Sequence, residues 1–204
     1  MNSKTAELLL ICLAALGPVN GLVAEQLNEG EWLSGKIHYE LRTLPDDAKE
    51  IWLFAKEDKS DSTKLCETEG WGNLEMHFSP DDIWIIVQDR GVSLGVRCRM
   101  FHIETGLHYR EIKKPNLNSE AEKLALKRAG LPAKEISDHL YVYCLAWSGD
   151  SKMVLIKSRG RGRIGKEWVS FVWIGIYHVQ DGRFSFDLAE FDRSAVDKGP
   201  LETQ

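Results

Sequence analysis

Two stretches of the sequence decide the fold, because they repeat each other. Residues 77–91 read HFSPDDIWIIVQDRG, and residues 146–160 read AWSGDSKMVLIKSRG. Aligned on Ser79 and Ser148, both carry an aromatic residue before the serine, an aspartate two residues after it, an apolar run and a final Arg-Gly. An aromatic residue before a Ser/Asp-rich turn and an apolar, β-branched run after it are typical of two strands joined by a tight turn.

The repeat resumes further along each copy. Residues 101–106 read FHIETG and residues 177–182 read YHVQDG, and an aromatic-containing run follows each. The final glycine supplies the positive φ that a short hairpin turn needs. The two copies, at about residues 74–112 and 143–188, therefore predict antiparallel hairpins in tandem.

Earlier segments add further strands of the same kind. IWLFAKEDKSDSTKLCE, from Ile51, indicates a strand, a polar turn and a strand, and GKIHYELR, from Gly35, alternates like a half-buried strand. The pattern predicts about eleven strands in total. The expected fold class is mainly β, with antiparallel sheets.

The FSPDD turn, the apolar strand after it and the strand that ends in ETG resemble the blade repeat of TolB-like and WD-repeat β-propellers. The second copy resembles it less, since Gly149 replaces the proline. A closed propeller has about four to eight four-stranded blades, more than this chain can supply. The resemblance therefore implies blade-like sheets packed face to face as an open sandwich, or a ring of subunits; we favour the sandwich.

A helical insertion, at about residues 115–139, separates the two copies. Ser119 and Glu122 form a capping-box pattern, and Gly130 followed by Pro132 ends a helix. We predict a helix from about Glu120 to Ala129 that packs on a sheet and covers a sheet edge.

The bulk properties fit one domain, at about residues 25–192. The chain has 204 residues, 43% of them hydrophobic, and a formal net charge of -5. This charge argues against nucleic acid or an anionic membrane as a partner of the whole molecule, although a local basic patch is compatible with it. Residues 193–204 are polar and predicted to be disordered.

Residues 1–24 have the pattern of a signal peptide. Lys4 precedes the apolar run LLLICLAAL, and small residues follow. We therefore predict an exported protein, periplasmic or extracellular, with no membrane span after cleavage; a retained anchor is the alternative.

Three cysteines would remain after cleavage near Ala24, namely Cys66, Cys98 and Cys144. They could form one disulfide and leave one thiol, or all three could be buried thiols. The second interpretation is favoured because no CxxC pair occurs.

Residues 160–166 read GRGRIGK and imitate a phosphate-binding P-loop. Glu167 stands where that motif needs Ser or Thr, and a β-rich run follows in place of a helix. We interpret the segment as a mobile basic hairpin loop. Arg159, Arg161, Arg163 and Lys166 are the candidate contacts for an anionic partner.

No catalytic or metal site is predicted. GVSLG, around Ser93, imitates a nucleophile elbow, but the strand-like VRCRMFHI follows it instead of a helix. The histidines are scattered without metal-ligand spacing, and Asp81 and Asp150 fit turn roles. No cofactor is expected.

The tryptophans in predicted strands are expected in the core, while Trp71 and Trp32 are the candidates for surface aromatics. The tryptophans assigned to strands are Trp52, Trp84, Trp147, Trp168 and Trp173.

These patterns favour an exported, non-catalytic binding or interaction module. Its partner classes are a protein or a small anionic ligand, and homo-oligomers are compatible with the sequence. The alternatives are a hydrolase that uses Ser93 or carboxylates, and a structural subunit of a propeller-like assembly.

Overall fold

The computed structural model describes residues 32–33, 36–45, 48–56, 58, 60–68, 74–91, 95–130, 140–164 and 166–191. The predicted signal peptide and the predicted disordered tail lie outside these residues.

Three four-stranded sheets form the described part of the chain, and in each the strands pair antiparallel in chain order. Sheet I contains β1 (Trp32–Leu33), β2 (Ile37–Thr43), β3 (Lys49–Ala55) and β4 (Ser62–Thr68). Sheet II contains β5 (Leu74–Phe78), β6 (Trp84–Gly91), β7 (Gly95–Thr105) and β8 (His108–Glu111). Sheet III contains β9 (Tyr141–Trp147), β10 (Met153–Ile164), β11 (Glu167–His178) and β12 (Arg183–Ser185).

The predicted fold class is confirmed: the protein is mainly β, with antiparallel sheets. The two sequence copies form sheets II and III. The segment before them makes a complete third sheet, because the short β1 adds a fourth strand to β2, β3 and β4.

Sheet II is the middle layer, and both of its faces are buried. Ile85 and Val87 of β6 pack in one apolar cluster with side chains of sheet I, such as Leu53. Ile86, between them, packs in a second cluster with Val154 and other side chains of sheet III. Neighbouring strand residues point to opposite faces, so a strand buried on both sides reads as a continuous apolar run, as β6 does.

The Ser-x-Asp turns have the same geometry in both copies. In sheet II the hydroxyl of Ser79 donates to Asp81 at 2.5 Å and accepts from the Trp84 amide at 2.9 Å. In sheet III the hydroxyl of Ser148 donates to Asp150 at 2.7 Å and accepts from the Met153 amide at 2.9 Å. The predicted turn roles of these serines and aspartates are therefore confirmed.

The two turns also contact each other across the interface between sheets II and III. The Asp81 amide donates to the Ser151 hydroxyl at 3.2 Å, and Trp147 Nε1 donates to the His77 carbonyl at 3.2 Å. Ser151 is buried and has a positive φ of 63°. The repeated turns thus help to align the two sheets.

The insertion forms helix α1, Leu117–Ala129, three residues longer at its start than predicted. Its N-cap is Asn116, whose side-chain oxygen accepts from the Ser119 amide at 3.0 Å, so the predicted capping box at Ser119 is wrong. Asparagine is as good an N-cap as serine, and it stands one turn earlier. The predicted end is confirmed, since the Gly130 N–H bonds to the Leu126 carbonyl.

Helix α1 covers an edge of sheet II, as predicted. Strand β8 pairs with β7 only from Phe101 onward, which leaves the start of β7 without a strand on that side. The Asn118 side chain takes its place, accepting from the Cys98 amide at 2.9 Å and donating to the Cys98 carbonyl at 2.7 Å. The helix buries Ala121 and Ala125 on the same side.

We expect Ser79→Ala and Ser148→Ala to lower the free energy of unfolding by about 1–2 kcal/mol each, because each leaves buried turn groups unpaired. The two losses should agree within about 0.5 kcal/mol, since the turns make the same bonds. Urea denaturation measures both. Ser60→Ala, in an exposed turn of sheet I, is the control and should cost less; equal losses in all three variants would contradict the shared turn role.

The second turn of each copy ends in a glycine with positive φ, 54° at Gly106 and 69° at Gly182, as predicted. Their surroundings differ. A Cβ on Gly106 would meet nothing within 4 Å, whereas one on Gly182 would lie 1.9 Å from Cγ of Pro115, just before α1. Gly182 therefore allows the turn of sheet III to pack against the insertion.

We expect Gly106→Ala to cost about 1 kcal/mol of stability, from backbone strain alone. Gly182→Ala should cost at least about 2 kcal/mol more, because the turn or Pro115 must also move. Thermal or urea unfolding of the matched pair tests this. Equal losses would show that Gly182 does not fix the position of the insertion.

Candidate functional site

The candidate site lies on the hairpin that contains the basic residues, and most of this hairpin is strand rather than loop. Strands β10 and β11 pair without interruption from Met153–His178 to Ile164–Glu167. Arg159, Arg161 and Arg163 therefore stand on β10, and the prediction of a mobile basic loop is wrong for these three. Lys166 does lie in the turn and is exposed.

The hairpin extends beyond the rest of sheet III. Strand β9 pairs with β10 only as far as Arg159, and β12 pairs with β11 only from Ile176 onward. The part of the hairpin that includes Arg161 and Arg163 is a two-stranded ribbon within the described residues. The ribbon forms because the two central strands are longer than the strands beside them. β10 and β11 have 12 residues each, whereas β9 has 7 and β12 has 3.

Alternation along β10 places its cations on one face of sheet III. Lys157, Arg159, Arg161 and Arg163 share a face, because strand side chains alternate with a period of two. The residues between them are Ser158, Gly160 and Gly162, which face the opposite side, where Ser158 is fully buried.

Apolar and aromatic residues of the neighbouring strands complete this surface, which we call the basic face. Strand β11 contributes the residues opposite the cations, and β9 contributes those opposite Lys157 and Arg159. The members of the basic face are Tyr141, Tyr143, Lys157, Arg159, Arg161, Arg163, Trp168, Ser170, Val172 and Ile174.

The arginines of the basic face lie over aromatic rings. The Arg159 guanidinium is 4.8 Å from the ring centroid of Tyr141, which is stacked beside Tyr143. The guanidinium groups of Arg161 and Arg163 lie 4.9 and 5.0 Å from the Trp168 centroid. Such cation–π contacts hold the planar guanidinium by its face, and its N–H groups lie at the edge of the plane.

The basic face is solvent-exposed and concave at its centre. Trp168 is 52% exposed and Val172 is 54% exposed. A shallow depression of about 350 Å³ lies beside Val172, and its lining includes Arg159, Arg161 and Ser170. The face can therefore receive a ligand that presents negative charge together with apolar surface.

The sequence pattern identifies the arginines of the basic face as candidate contacts but does not identify their apolar neighbours. Trp168 was expected in the core, but it is the exposed ring beneath Arg161 and Arg163. Every second residue from Lys157 to Arg163 is basic, and this period of two was the available signal that a strand with one solvent face runs through the segment.

The sequence patterns that imitate enzymes do not form catalytic sites in the described residues. Ser93 lies outside these residues, and the chain continues from it into strand β7, not into the helix that a nucleophile elbow requires. The GRGRIGK segment is the end of β10 and its turn, followed by β11, so it lacks the helix of a P-loop.

Histidines and carboxylates of the described residues do not converge on a metal site. His102 lies edge-on to Trp84 at 4.3 Å between centroids, and the equivalent His178 contacts the Ser185 hydroxyl at 2.9 Å. In Asp150, burial favours a higher pKa, but hydrogen bonds from Ser148 and Lys152 outweigh it and lower the pKa. Each group thus has a structural role.

A buried polar cluster lies between sheets II and III. Gln88 donates to Glu75 and accepts from the Cys144 amide at 2.8 Å, so it links the two sheets. His77 Nε2 lies 3.9 Å from the Glu75 carboxylate, too far for a hydrogen bond. Burial lowers the pKa of His77 to about 4. The cluster has no opening for a substrate among the described depressions, which lie elsewhere.

The three cysteines are free and buried, which confirms the buried-thiol interpretation. Burial raises the pKa of Cys66 to about 11 and that of Cys98 to about 12, and it raises the pKa of Cys144 well above its usual value. Reactive cysteines need a lowered pKa, so these thiols act as small core residues.

Comparison with known proteins gives no family assignment. No protein-family model, curated protein or solved structure matches the chain significantly. Among the described residues, no helix has the length and apolar character to cross a membrane. The function must therefore be argued from the site itself.

We expect the stability of the protein to depend on the protonation of His77. Its pKa is about 4 in the folded chain and about 6.5 when exposed, so only the unfolded state binds the proton between these values. The free energy of unfolding should not change with His77 protonation above about pH 6.5. It should fall by about 3 kcal/mol as the pH drops from there to about 4. Urea denaturation across this range, with wild type and His77→Gln, measures the slope.

The His77→Gln variant should show a shallower slope over this range, whatever its stability at neutral pH. Equal slopes in the two proteins would contradict a buried, neutral His77.

Proposed function

We propose that the protein is a non-catalytic binding module that holds an anionic partner on the basic face of sheet III. One observation carries the proposal: β10 places Arg159, Arg161 and Arg163 on one exposed face, each over an aromatic ring. Surface charges of soluble proteins are usually mixed in sign, whereas here three arginines are gathered on one strand face.

The charge distribution supports this function. The whole chain carries a net charge of -5, yet the members of the basic face include four cations and no carboxylate. Outside this face, the exposed Arg110 lies beside Glu104 and the exposed Arg183 lies beside Asp181. A basic surface on an acidic protein steers anionic partners to one place and orientation.

The aromatic rings define the kind of contact. An arginine held over a ring loses less conformational freedom on binding than a free one, and its planar N–H groups match the two oxygens of a carboxylate or phosphate. The exposed Trp168 and Val172 add apolar contact area beside the charges. This combination suits a ligand with acidic and apolar groups better than a small inorganic anion.

The proposal also includes two expectations from the sequence, namely export and the blade-like character of sheets II and III. Export, periplasmic or extracellular, rests on the signal-like residues 1–24. The blade-like character of sheets II and III rests on the repeated sequence, and the matching turn hydrogen bonds of Ser79 and Ser148 support it. Four-stranded meanders of this kind serve binding in many unrelated proteins, so they favour no particular partner.

Replacing Arg159, Arg161 and Arg163 together by Gln should weaken binding of a fluorescent poly-glutamate probe about tenfold at low salt, because exposed charge contacts of this kind add a few tenths to one kcal/mol each. Fluorescence anisotropy measures the affinity. Wild-type binding should also weaken as salt screens the charges.

The matched control replaces Arg110, Lys152 and Arg183 by Gln, which changes the net charge equally on exposed positions outside the basic face. This control should bind the probe like wild type. Equal weakening in both triple variants would mean that only net charge matters and would overturn the assignment to the basic face.

A further inference from the structure

Within the described residues, the edge of the basic face is an open strand edge. On the side of β11 away from β10, strand β12 pairs only at Ile176–His178, and no described strand pairs there from Trp168 to Ile174. This segment reads WVSFVWI and contains no charge and no proline. Natural sheet edges are usually blocked by such residues, by bulges or by covering elements, because an open edge accepts another strand.

The backbone groups of this segment alternate in direction. The Val179 amide donates to the Lys152 carbonyl at 3.0 Å, toward β10, whereas the His178 carbonyl accepts from Gly182 at 2.8 Å on the opposite side. The pairing of β11 with β10 has no register shift, so the alternation continues along the strand. The N–H and C=O groups of Trp168, Ser170, Val172 and Ile174 therefore point away from β10, toward the edge.

Space for an added strand lies beside this edge. A depression of about 320 Å³ separates the last turn of helix α1 from residues 171–174 of β11. Its lining includes Phe171 and Trp173 from one face of the sheet and Val172 and Ile174 from the other, so it follows the edge itself. The helix side of the depression is formed by Ala125, Arg128 and Ala129. The two alanines leave room for apolar side chains.

Positive charge borders the same place. An added strand would lie about 4.8 Å from β11 and about twice that from β10. The Arg161 guanidinium already leans over β11, since it lies 4.9 Å from the Trp168 ring. Ser170 is directly opposite Arg161 and is too short to separate it from the edge. Arg128 is exposed on the helix side.

From this geometry we infer that the partner is an extended acidic segment of a protein, which adds to β11 as a further antiparallel or parallel strand. The inference rests on the proposed function and specifies its ligand class. Backbone hydrogen bonds to the even-numbered residues Trp168–Ile174 supply the affinity, as in other cases of strand addition. Acidic side chains on one side of the added strand meet Arg161, and apolar side chains on the other enter the depression beside Ala125 and Ala129.

Two octapeptides with the same number of glutamates test this. In one, Glu alternates with Val and can form a strand; the other has the same sequence with a methyl group on every backbone nitrogen, so it cannot donate backbone hydrogen bonds to β11 in either orientation. Titration of the full chain, followed by fluorescence anisotropy, should show the Glu-Val peptide binding about tenfold more tightly than the N-methylated peptide, the effect of losing about two hydrogen bonds.

Protein variants test the edge directly. Ser170→Pro removes an outward N–H and breaks no bond to β10, so it should abolish the preference for the Glu-Val peptide. Ser170→Ala removes only the hydroxyl and keeps the outward N–H, so it should retain more of the preference than Ser170→Pro does. Should Ser170→Pro fail to fold, the two peptides on wild-type protein still decide the question.

The outcomes separate this inference from the proposed function. Equal binding of both peptides, lost in the Arg159, Arg161 and Arg163 triple variant, would overturn strand addition and leave the anionic binding face standing. Binding of sulfated polysaccharide or anionic vesicles with no binding of either peptide would overturn the acidic segment as the ligand. Binding of none of these anions would overturn both proposals.

Light scattering of the chain alone tests the other occupant, a second copy. A monomer supports the inference. A dimer that Ser170→Pro dissociates would show that the edge pairs with itself and would overturn the acidic segment as its partner.

Discussion

The structure depends on the burial of both faces of sheet II. Ile85, Ile86 and Val87 are fully buried, and their side chains alternate between two apolar clusters. A sheet that is apolar on both faces must be covered twice, and the chain supplies sheet I on one side and sheet III with helix α1 on the other. Sheets I and III each use one face for this contact, and in sheet III the opposite face carries the exposed Trp168 and Val172. The basic face is the free side of sheet III.

A few polar interactions fix how these layers meet. The Arg99 guanidinium donates to the Glu67 carbonyl at 2.7 Å and so joins sheet II to sheet I. Gln88 and the turn around Ser151 join sheet II to sheet III. Apolar contacts alone allow the layers to slide past each other. A buried polar group is costly to leave without a hydrogen bond, so the hydrogen bonds between the layers favour one arrangement. The position of the basic face relative to the core follows from that arrangement.

Much of this architecture could be predicted from the sequence, because its signals are local. The Ser-x-Asp turns, the hairpin glycines and the end of the helix at Gly130 depend on a few neighbouring residues, and all were found. The site was only partly predictable. Trp168 and Trp173 lie in the same β-rich run, yet one is half exposed and the other buried, because they point to opposite faces of sheet III and only the face of Trp173 packs in the apolar cluster. Which face of the strand is covered depends on how the sheets pack, and this cannot be read from the run itself.

The two-stranded ribbon affects how the binding surface of this protein can evolve. Beyond Arg159, β10 and β11 extend past β9, so the residues that give the surface its chemistry contribute little to the apolar clusters that hold the sheets together. Substitutions at separate, independent positions have nearly additive effects on stability. Binding preference can therefore drift or be selected at Arg161, Arg163 and Trp168 while the layers beneath stay folded. The same separation makes the ribbon a place where new specificities can be engineered onto an unchanged scaffold.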